Sequence, residues 1–431
     1  MTAVIGILNK EAVAVAADSA VTIGWENGRK IYNTANKIFT LSKHAPVGVA
    51  LYNSASFMTT PWETIVKIYR EQLGKKAFGT LDEYQQDFFR FLKEKNYFVD
   101  VDFQKAFFLN ILRAVFNYIN NEALQNQARL LMSESDEDRS EVVELIKTRI
   151  EKLESEISTN FISCPEFTDY TLENFLAFAG QPFDEAIKQV YTDSGYALPD
   201  VSIEQLKRIC FLHLRSQFFL EFFTGLIFFG FGEDEIYPSL ITVNVSGVFD
   251  DRLRYFIPNH ETSRISNQQN AAINPFAQTD VIDTILSGVD PALDEFYINQ
   301  HGDFLKKYNQ DLASLVQGLS PELAEHLKNL DVTNIVNEYR KESEKIKLNK
   351  YIIPLMSAVA NLSKDDLSEM AESLVYLTYL KRRITFTEES VGGPVDVAII
   401  SKGDGFIWKK RKHYFKPELN QHFFANYFKN S

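Results

Sequence analysis

The sequence predicts an α+β fold in which strands from distant parts of the chain form one core and helical blocks are inserted between them. Three observations lead to this class. Short apolar runs with strand character occur at the start, in the middle and at the end of the 431 residues. The long stretches between them have apolar residues at helical spacing. This order favours a discontinuous core over a string of independent domains.

The first fifty residues have strand character. Residues 3–8 and 12–17 are apolar runs joined by polar residues, which predicts a hairpin. Residues 37–41 and 47–51 predict a second pair of strands. These four strands would start the core.

The first helix is expected directly after these strands. Thr60 is predicted as its N-cap, with Pro61 at the first helical position and Glu63 completing a capping box. Gly74 suits its end, because glycine adopts the left-handed conformation that often terminates helices.

Residues 81–217 have an almost wholly helical pattern. Thr80 and Glu83 form a second capping-box pair at its start. Within the block, apolar residues alternate at spacings of three and four with charged residues between them, which fits either a short coiled-coil arm or an amphipathic helix on a bundle. These apolar residues are Val143, Ile146, Ile150, Leu153 and Ile157.

Strand character returns at residues 225–231 and 240–245, and helices are predicted over 291–363 and 364–382. The sequence Ser320-Pro321-Glu322 marks a helix start within the first of these. The chain closes on a predicted hairpin with strands at 395–401 and 406–410. The predicted division is a core of residues 1–75, 219–300 and 364–431, a helical insertion at 76–218 and a second one at 301–363.

Composition limits the classes of partner. The formal net charge of −13 argues against a nucleic-acid backbone as the principal ligand. Two cysteines, no signal-peptide pattern and no membrane-length apolar run predict a cytoplasmic protein without a membrane anchor. The histidines lack metal-ligand spacing, so neither a metal site nor a cofactor is predicted.

Thr2 is the leading candidate for chemistry. Once Met1 is removed, its hydroxyl and its free α-amine form a nucleophile and a base on one residue. Such a residue needs a cation that keeps the amine neutral, a carboxylate that holds the cation, and donors for an oxyanion. Asp18 at the end of the second strand, Lys37 at the start of the third and Asn53 after the fourth are the candidates. Each also has an ordinary interpretation, as a turn residue, a solvated lysine and a loop residue.

Three runs of sequence resemble the start of a proteasome β-subunit or the bacterial HslV peptidase, which are N-terminal-nucleophile (Ntn) hydrolases. They are residues 2–7 (TAVIGI), residues 15–22 (VAADSAVT) and residues 37–41 (KIFTL). The segment from Val391 through Gly392-Gly393-Pro394 to Gly405 is similar to the closing strand and hairpin of these proteins. About 200 residues share the resemblance, and the helical blocks do not.

The resemblance implies a four-layer αββα Ntn-hydrolase sandwich with helical insertions. It implies Thr2 as nucleophile with its own amine as base, Lys37 as the cation beside that amine, and Asp18 as the carboxylate that fixes Lys37. Asn53 takes a position where the family has glycine at the oxyanion hole. A supporting aspartate of the family falls on Glu388, and two supporting serines fall on Val391 and Phe276.

The predicted function is therefore a threonine-type peptidase that cleaves amide bonds through an acyl-enzyme on Thr2. The alternatives are a catalytically silent Ntn scaffold whose insertions bind a partner protein, and an amidohydrolase of small molecules. The expected partners are a peptide or protein substrate, further copies of the chain and a separate ATP-dependent unfoldase. Nucleic acid and membrane are not expected partners.

Overall fold

A computed structural model describes the chain except for residues 1–2, 26–27, 126, 128–134, 160, 221, 386–391, 414, 423–424 and 426–431. The described chain forms two compact units. The first consists of Met1–Ile38, Ile236–Ser239 and Ser263–Asn430, and the second of Phe39–Glu235 and Leu240–Thr262. Each unit is considered on its own below, and the predicted division into a core and two insertions stays a prediction.

The strands are numbered in chain order: β1 (Ala3–Asn9), β2 (Ala12–Ala17), β3 (Val21–Trp25), β4 (Gly28–Tyr32), β5 (Ile38–Thr40), β6 (Val47–Asn53), β7 (Ser56–Phe57), β8 (Thr60–Pro61), β9 (Thr224–Gly230), β10 (Ser239–Phe249), β11 (Arg252–Phe256), β12 (Ser263–Arg264), β13 (Ala271–Ala277), β14 (Asp396–Ser401) and β15 (Gly405–Lys410).

The α-helices are numbered likewise: α1 (Trp62–Leu73), α2 (Leu81–Glu94), α3 (Val101–Ala123), α4 (Asp136–Thr159), α5 (Leu172–Ile187), α6 (Asp200–Arg215), α7 (Asp280–Ser287), α8 (Pro291–Val316), α9 (Pro321–Lys328), α10 (Thr333–Lys347), α11 (Ile353–Val359) and α12 (Lys364–Ile384).

The first unit contains a five-stranded sheet in the order β13-β1-β2-β14-β15, and every neighbouring pair is antiparallel. β1 and β2 are buried at every position, as their almost wholly apolar sequences AVIGILN and AVAVAA predict. Helix α12 packs on one face of this sheet through Leu367, Ala371 and Val375. The predicted hairpins at both ends of the chain are confirmed.

The second unit contains a sheet in the order β11-β10-β9-β6-β5. Helices α1 and α2 cover one of its faces with large aromatic side chains, among them Trp62, Tyr69 and Phe88. Helices α3 to α6 form a separate helical core around Phe108 and Phe116. Antiparallel sheets with helices confirm the α+β class, and the four-layer αββα arrangement stays a prediction.

Three local predictions can be compared with the structure. Thr80 and Glu83 form the predicted capping box. The predicted capping box at Thr60 is wrong, because Thr60 and Pro61 form a short strand that pairs with β7. Helix α1 begins at Trp62, whose backbone N–H donates to the Ala55 carbonyl. Helix α4 packs in the helical core, so the bundle interpretation is confirmed over the coiled-coil arm.

The sequence did not predict strand β13, which is the edge partner of β1. Its sequence contains Asn274 and Pro275, and proline is tolerated at a sheet edge because its missing N–H leaves no gap in the ladder. None of the helices in the described part of the chain is long and apolar enough to cross a membrane.

Candidate functional site

The candidate site lies where three strand ends of the first unit meet. In the antiparallel ladder, Val4 near the start of β1 pairs with Ala17 at the end of β2. Ala17 also pairs with Asp396 at the start of β14. Ala3, the first residue of β1, and Asp18, the residue after β2, come next along the ladder. They are therefore neighbours, although 14 residues separate them in the chain. The predicted placement of Asp18 beside the start of β1 is confirmed.

The Asp18 carboxylate is buried and accepts four hydrogen bonds. Oδ1 accepts from the Ala3 amide at 2.9 Å and from the Lys37 ammonium at 2.6 Å. Oδ2 accepts from the Ala20 amide at 3.0 Å and the Gly392 amide at 3.1 Å. A carboxylate with donors on both oxygens is suited to hold other groups in position.

Lys37 lies directly before β5 and only 4% of its surface is exposed. Besides Asp18, its ammonium donates to the Ala20 carbonyl at 2.6 Å. Burial lowers the pKa of Lys37 below its usual value, and the attraction of Asp18 opposes that shift. Lys37 is therefore a buried amine held by one carboxylate and one carbonyl, with a reduced affinity for its proton.

The segment Gly392-Gly393-Pro394 closes the site from the far end of the chain. Besides the Gly392 amide on Asp18, the Gly392 carbonyl accepts from the Ser19 amide at 3.0 Å, and the Ser19 hydroxyl donates to the Pro394 carbonyl at 2.5 Å. Gly393 has φ +77°, and a Cβ there would lie 2.8 Å from the Asn33 carbonyl oxygen. Glycine is therefore required at residue 393 both by backbone conformation and by space.

A second buried ion pair lies beside the first. Asp396 is 2% exposed and accepts from the Lys412 backbone amide at 2.8 Å and from the Lys412 ammonium. Lys412 lowers the pKa of Lys37 slightly, and Asp396 opposes that effect. The cluster consists of two carboxylates and two ammonium groups, so its formal charges sum to zero.

Two predicted residues, Thr2 and Glu388, lie outside the described residues, as does Val391. Asp18 and Lys37 are brought into direct contact. Phe276 is a buried residue of β13 that pairs with Val4. The roles assigned to Thr2, Asp18, Lys37 and Glu388 stay predictions. Val391 and Phe276 are assigned none, because they stand where the family has supporting serines.

Asn53 belongs to the second unit, where it ends β6. It has φ +68°, a conformation that asparagine tolerates better than most residues, and its side-chain amide donates to the Phe223 carbonyl at 2.9 Å. The preceding Tyr52 hydroxyl lies 2.8 Å from Asn244 Oδ1 and 2.9 Å from Glu261 Oε2. Burial raises the pKa of both Tyr52 and Glu261, and their side chains share a hydrogen bond at this end of β6. The predicted oxyanion role of Asn53 stays a prediction.

Sequence reasoning missed three backbone groups that hold the ion pair. The Ala20 carbonyl and amide bind Lys37 and Asp18, and the Gly392 amide binds Asp18. Every residue has a backbone carbonyl, and all but proline have an N–H, so residue type does not show which of them bind. A search for reactive side chains could therefore not find these contacts. The adjacent Gly392-Gly393-Pro394 was the signal that the backbone there has a special conformation.

The described residues contain no group of three or more His, Cys, Asp or Glu side chains placed to bind a metal ion. The absence of a cofactor stays a prediction. Chemically, the site offers a fixed carboxylate and a buried amine next to the peptide nitrogen of Ala3. A carboxylate and an amine in this arrangement can position a neighbouring group and change its proton affinity.

No protein-family model and no curated protein matches the sequence. Among solved structures, the chain is similar to an Anbu (Gly-1) mutant from Hyphomicrobium sp. strain MC1, with 8% identity and a TM-score of 0.29 over 100% of this chain and 95% of that one. A similarity this low supports no conclusion about fold or function. With no family model matched, the assignment to proteasome β-subunits or HslV is wrong as it stands, and the chain is not assigned to a family.

Proposed function

We propose that the protein is a hydrolase of amide bonds that uses Thr2 as its nucleophile after the chain is cut between Met1 and Thr2. The observation that supports this most is the double contact of Asp18 Oδ1, which accepts from both the Ala3 amide and the Lys37 ammonium. The nitrogen of that amide is bonded to the carbonyl carbon of Thr2. The buried ion pair is therefore one peptide unit from the proposed nucleophile.

Burial of an ion pair needs a reason, because desolvation of two charges costs several kcal/mol and apolar residues would often be as stable. Ordinary packing does not require charge at this position, since the neighbouring strands β1 (AVIGILN) and β2 (AVAVAA) are almost wholly apolar. A functional use of Lys37 explains why the charge is present. The sequence context supplies that use, because Thr2 has the hydroxyl that an acyl transfer needs.

The proposed reaction has two steps. The Thr2 hydroxyl oxygen attacks the carbonyl carbon of the substrate amide, its proton passes to the Thr2 α-amine, and the C–N bond breaks as the leaving amine takes up a proton. Water then hydrolyses the resulting ester, with the amine as base. An α-amine has a reference pKa of about 7.7–8.0, and a cation nearby lowers it. Lys37, held by Asp18, would be that cation.

Peptides are the proposed substrates. The chemistry requires an amide carbonyl and room for an extended chain, and a peptide meets the first requirement at each of its bonds. The participation of a separate ATP-dependent unfoldase stays a prediction. Relevant assays therefore start with unfolded proteins and peptides, which need no unfolding partner.

The first test is chemical. Intact-mass measurement should show loss of Met1, and an acylating probe such as a β-lactone should add once per chain, to Thr2. Thr2→Ala should remove labelling and peptide hydrolysis, while Thr168→Ala, an exposed threonine of the second unit, should change neither. Retention of residue 1, or equal labelling of both variants, would overturn the proposal.

The second test addresses Lys37. If its charge keeps the Thr2 amine neutral, Lys37→Met should lower hydrolysis by about 10²–10⁴-fold. It should also move the rising limb of the pH–rate profile to higher pH, because loss of the cation raises the pKa of the amine. Lys37→Arg keeps a cation and should keep the position of that limb. A uniform loss of rate at every pH would instead indicate a structural role for Lys37.

A further inference from the structure

Helix α8 has apolar residues on two opposite faces. One face is buried in its own unit through Ile298 and Ala313. The other face exposes five large apolar side chains to solvent, where a helix of a soluble protein usually has polar ones. They are Leu293 (44% exposed), Tyr297 (49%), Phe304 (66%), Tyr308 (60%) and Leu315 (76%).

Contacts with α9, α10 and the loop between them fix the orientation of α8. The His301 ring stacks on the Tyr339 ring with centroids 4.2 Å apart. Arg340 forms an ion pair with Glu295 at 3.6 Å, and the Asn309 side chain donates to the Leu330 carbonyl at 3.4 Å. The exposed face therefore stays exposed in the isolated chain.

The five exposed side chains form one continuous stripe. At about 100° per residue they project within an arc of roughly 60°, and from Leu293 to Leu315 they extend for about 33 Å along the axis. At roughly 200 Å² for each large side chain, the exposed parts amount to on the order of 600 Å². That area is close to the ~800 Å² that each partner buries in a specific dimer, and Phe296 beside the stripe adds to it.

We propose that this stripe binds the same stripe of a second copy of the chain, with the two α8 helices antiparallel. The positions along the stripe are symmetric about Phe304, which is the requirement for a two-fold interface. In this register Phe304 faces Phe304 of the second copy, and Leu293 faces its Leu315. The symmetric positions are 293 and 315, 297 and 311, and 300 and 308.

The polar positions of the stripe match in the same register. Tyr297 is level with Asp311 of the second copy, and Tyr308 with its Gln300, so each tyrosine hydroxyl has a carboxylate or amide oxygen nearby. On one flank, Lys307 comes within about two residues, or ~3 Å along the axis, of Asp303 of the second copy. This pairing of charges and hydroxyls favours another α8 over an unrelated apolar partner.

The first test is the mass of the full chain in solution. Sedimentation at micromolar concentrations should give a mass of two chains for the wild type. Phe304→Lys places a charge at the centre of the stripe and should weaken association at least about thirty-fold. Ile236→Lys changes an equally exposed residue outside α8 and should leave the dimer intact. A monomeric wild type at 50 μM, or a Phe304→Lys variant that dimerises normally, would overturn the proposal.

The second test measures the register. Both native cysteines are buried, so cross-links formed by an introduced, exposed cysteine can be distinguished from theirs. Phe304→Cys should form a disulfide-linked dimer under mild oxidation, because residue 304 faces itself. Leu315→Cys should not, since its two copies would be about 33 Å apart, but Leu293→Cys/Leu315→Cys should. Equal cross-linking of the single variants contradicts the register. If removal of residues 417–431 abolished the dimer while Phe304→Lys still dimerised normally, association would be assigned to that segment instead.

Discussion

Lys37 in the first unit and Arg254 in the second are both buried cations, and they are neutralised differently. In the first unit, Lys37 contacts the carboxylate of Asp18 at 2.6 Å. In the second, Arg254 is 1% exposed and its Nη2 donates to three backbone carbonyls, those of His213 (2.5 Å), Ser216 (3.2 Å) and Phe218 (3.0 Å). No carboxylate among the described residues forms an ion pair with it.

The position of Arg254 explains how a buried cation does without a carboxylate. Two of its acceptors lie at the end of helix α6, where carbonyls can accept further donors and the helix dipole is negative. Its guanidinium also lies 4.3 Å from the centroid of the Phe219 ring. Arg254 therefore closes a helix terminus, which is a structural task.

The two cations also differ in their chemistry. Burial lowers the pKa of Arg254 to about 10, which still leaves it protonated at neutral pH. The usual pKa of lysine is already below that of arginine, and burial lowers the pKa of Lys37 further, although the attraction of Asp18 opposes that shift. Lys37, which is paired with a carboxylate, is therefore the candidate for a catalytic role. Arg254, which binds the carbonyls of a helix end, is a candidate for a structural role only.

The largest effect is expected when the carboxylate is removed. Asp18→Asn leaves the Lys37 charge buried without a counter-charge, so the free energy of unfolding should fall by about 3–5 kcal/mol. Urea unfolding followed by circular dichroism measures this. The double variant Asp18→Asn/Lys37→Met removes both charges and should recover part of the loss. A loss below ~1 kcal/mol in the single variant would mean that the pair is solvated.

Removal of the second cation should cost less. Arg254→Met removes a charged donor from three carbonyls and leaves no opposite charge unpaired, so it should lower the free energy of unfolding by about 1–3 kcal/mol. Ser216 still donates to the His213 carbonyl, and the Cys164 thiol to the Ser216 carbonyl. Arg254→Lys keeps a cation at the helix end and should lose less than Arg254→Met. If Arg254→Met were as unstable as Asp18→Asn, the proposed difference between the two cations would be wrong.

The backbone support of Asp18 can be tested with two adjacent glycines. Gly393→Ala forces a side chain into a left-handed conformation against the Asn33 carbonyl and should cost about 1–2 kcal/mol. Gly392→Ala is the matched control, because its Cβ would lie at an ordinary 3.6 Å from the Asn33 side chain. Equal unfolding midpoints for both variants would show that this segment does not support the site.

The last effect is a change of slope with pH and concerns Cys164, beside Arg254. Burial raises the pKa of its thiol to about 11, whereas an unfolded thiol ionises near pH 8.5. Between these values the unfolded chain binds fewer protons, so the free energy of unfolding should fall as pH rises, by at most about 1.4 kcal/mol per pH unit. Cys164→Ala should show a shallower decline in urea unfolding at pH 8.5, 9.5 and 10.5. Parallel declines would indicate that the thiol is accessible to water.

Much of the first unit could be predicted from local pattern. The apolar runs of β1 (AVIGILN) and β2 (AVAVAA) are strands whose side chains are buried on both faces of the sheet. Asp18 follows β2 directly, so an antiparallel hairpin alone brings it to Ala3. The wrong capping box at Thr60 shows the limit of this approach. Thr60 and Pro61 form a strand, although their sequence is typical of a helix start.

The sequence by itself determined the α+β class, the strand ends on which Asp18 and Lys37 lie, and the glycines that close the site. Only the tertiary structure decided that the Gly392 amide, 374 residues away, binds Asp18, that Arg254 is buried, and that one apolar face of α8 stays exposed. The physical reason is range. Residue types and their spacing define the faces of each element locally, but which faces meet depends on contacts between distant parts of the chain, which periodicity does not specify.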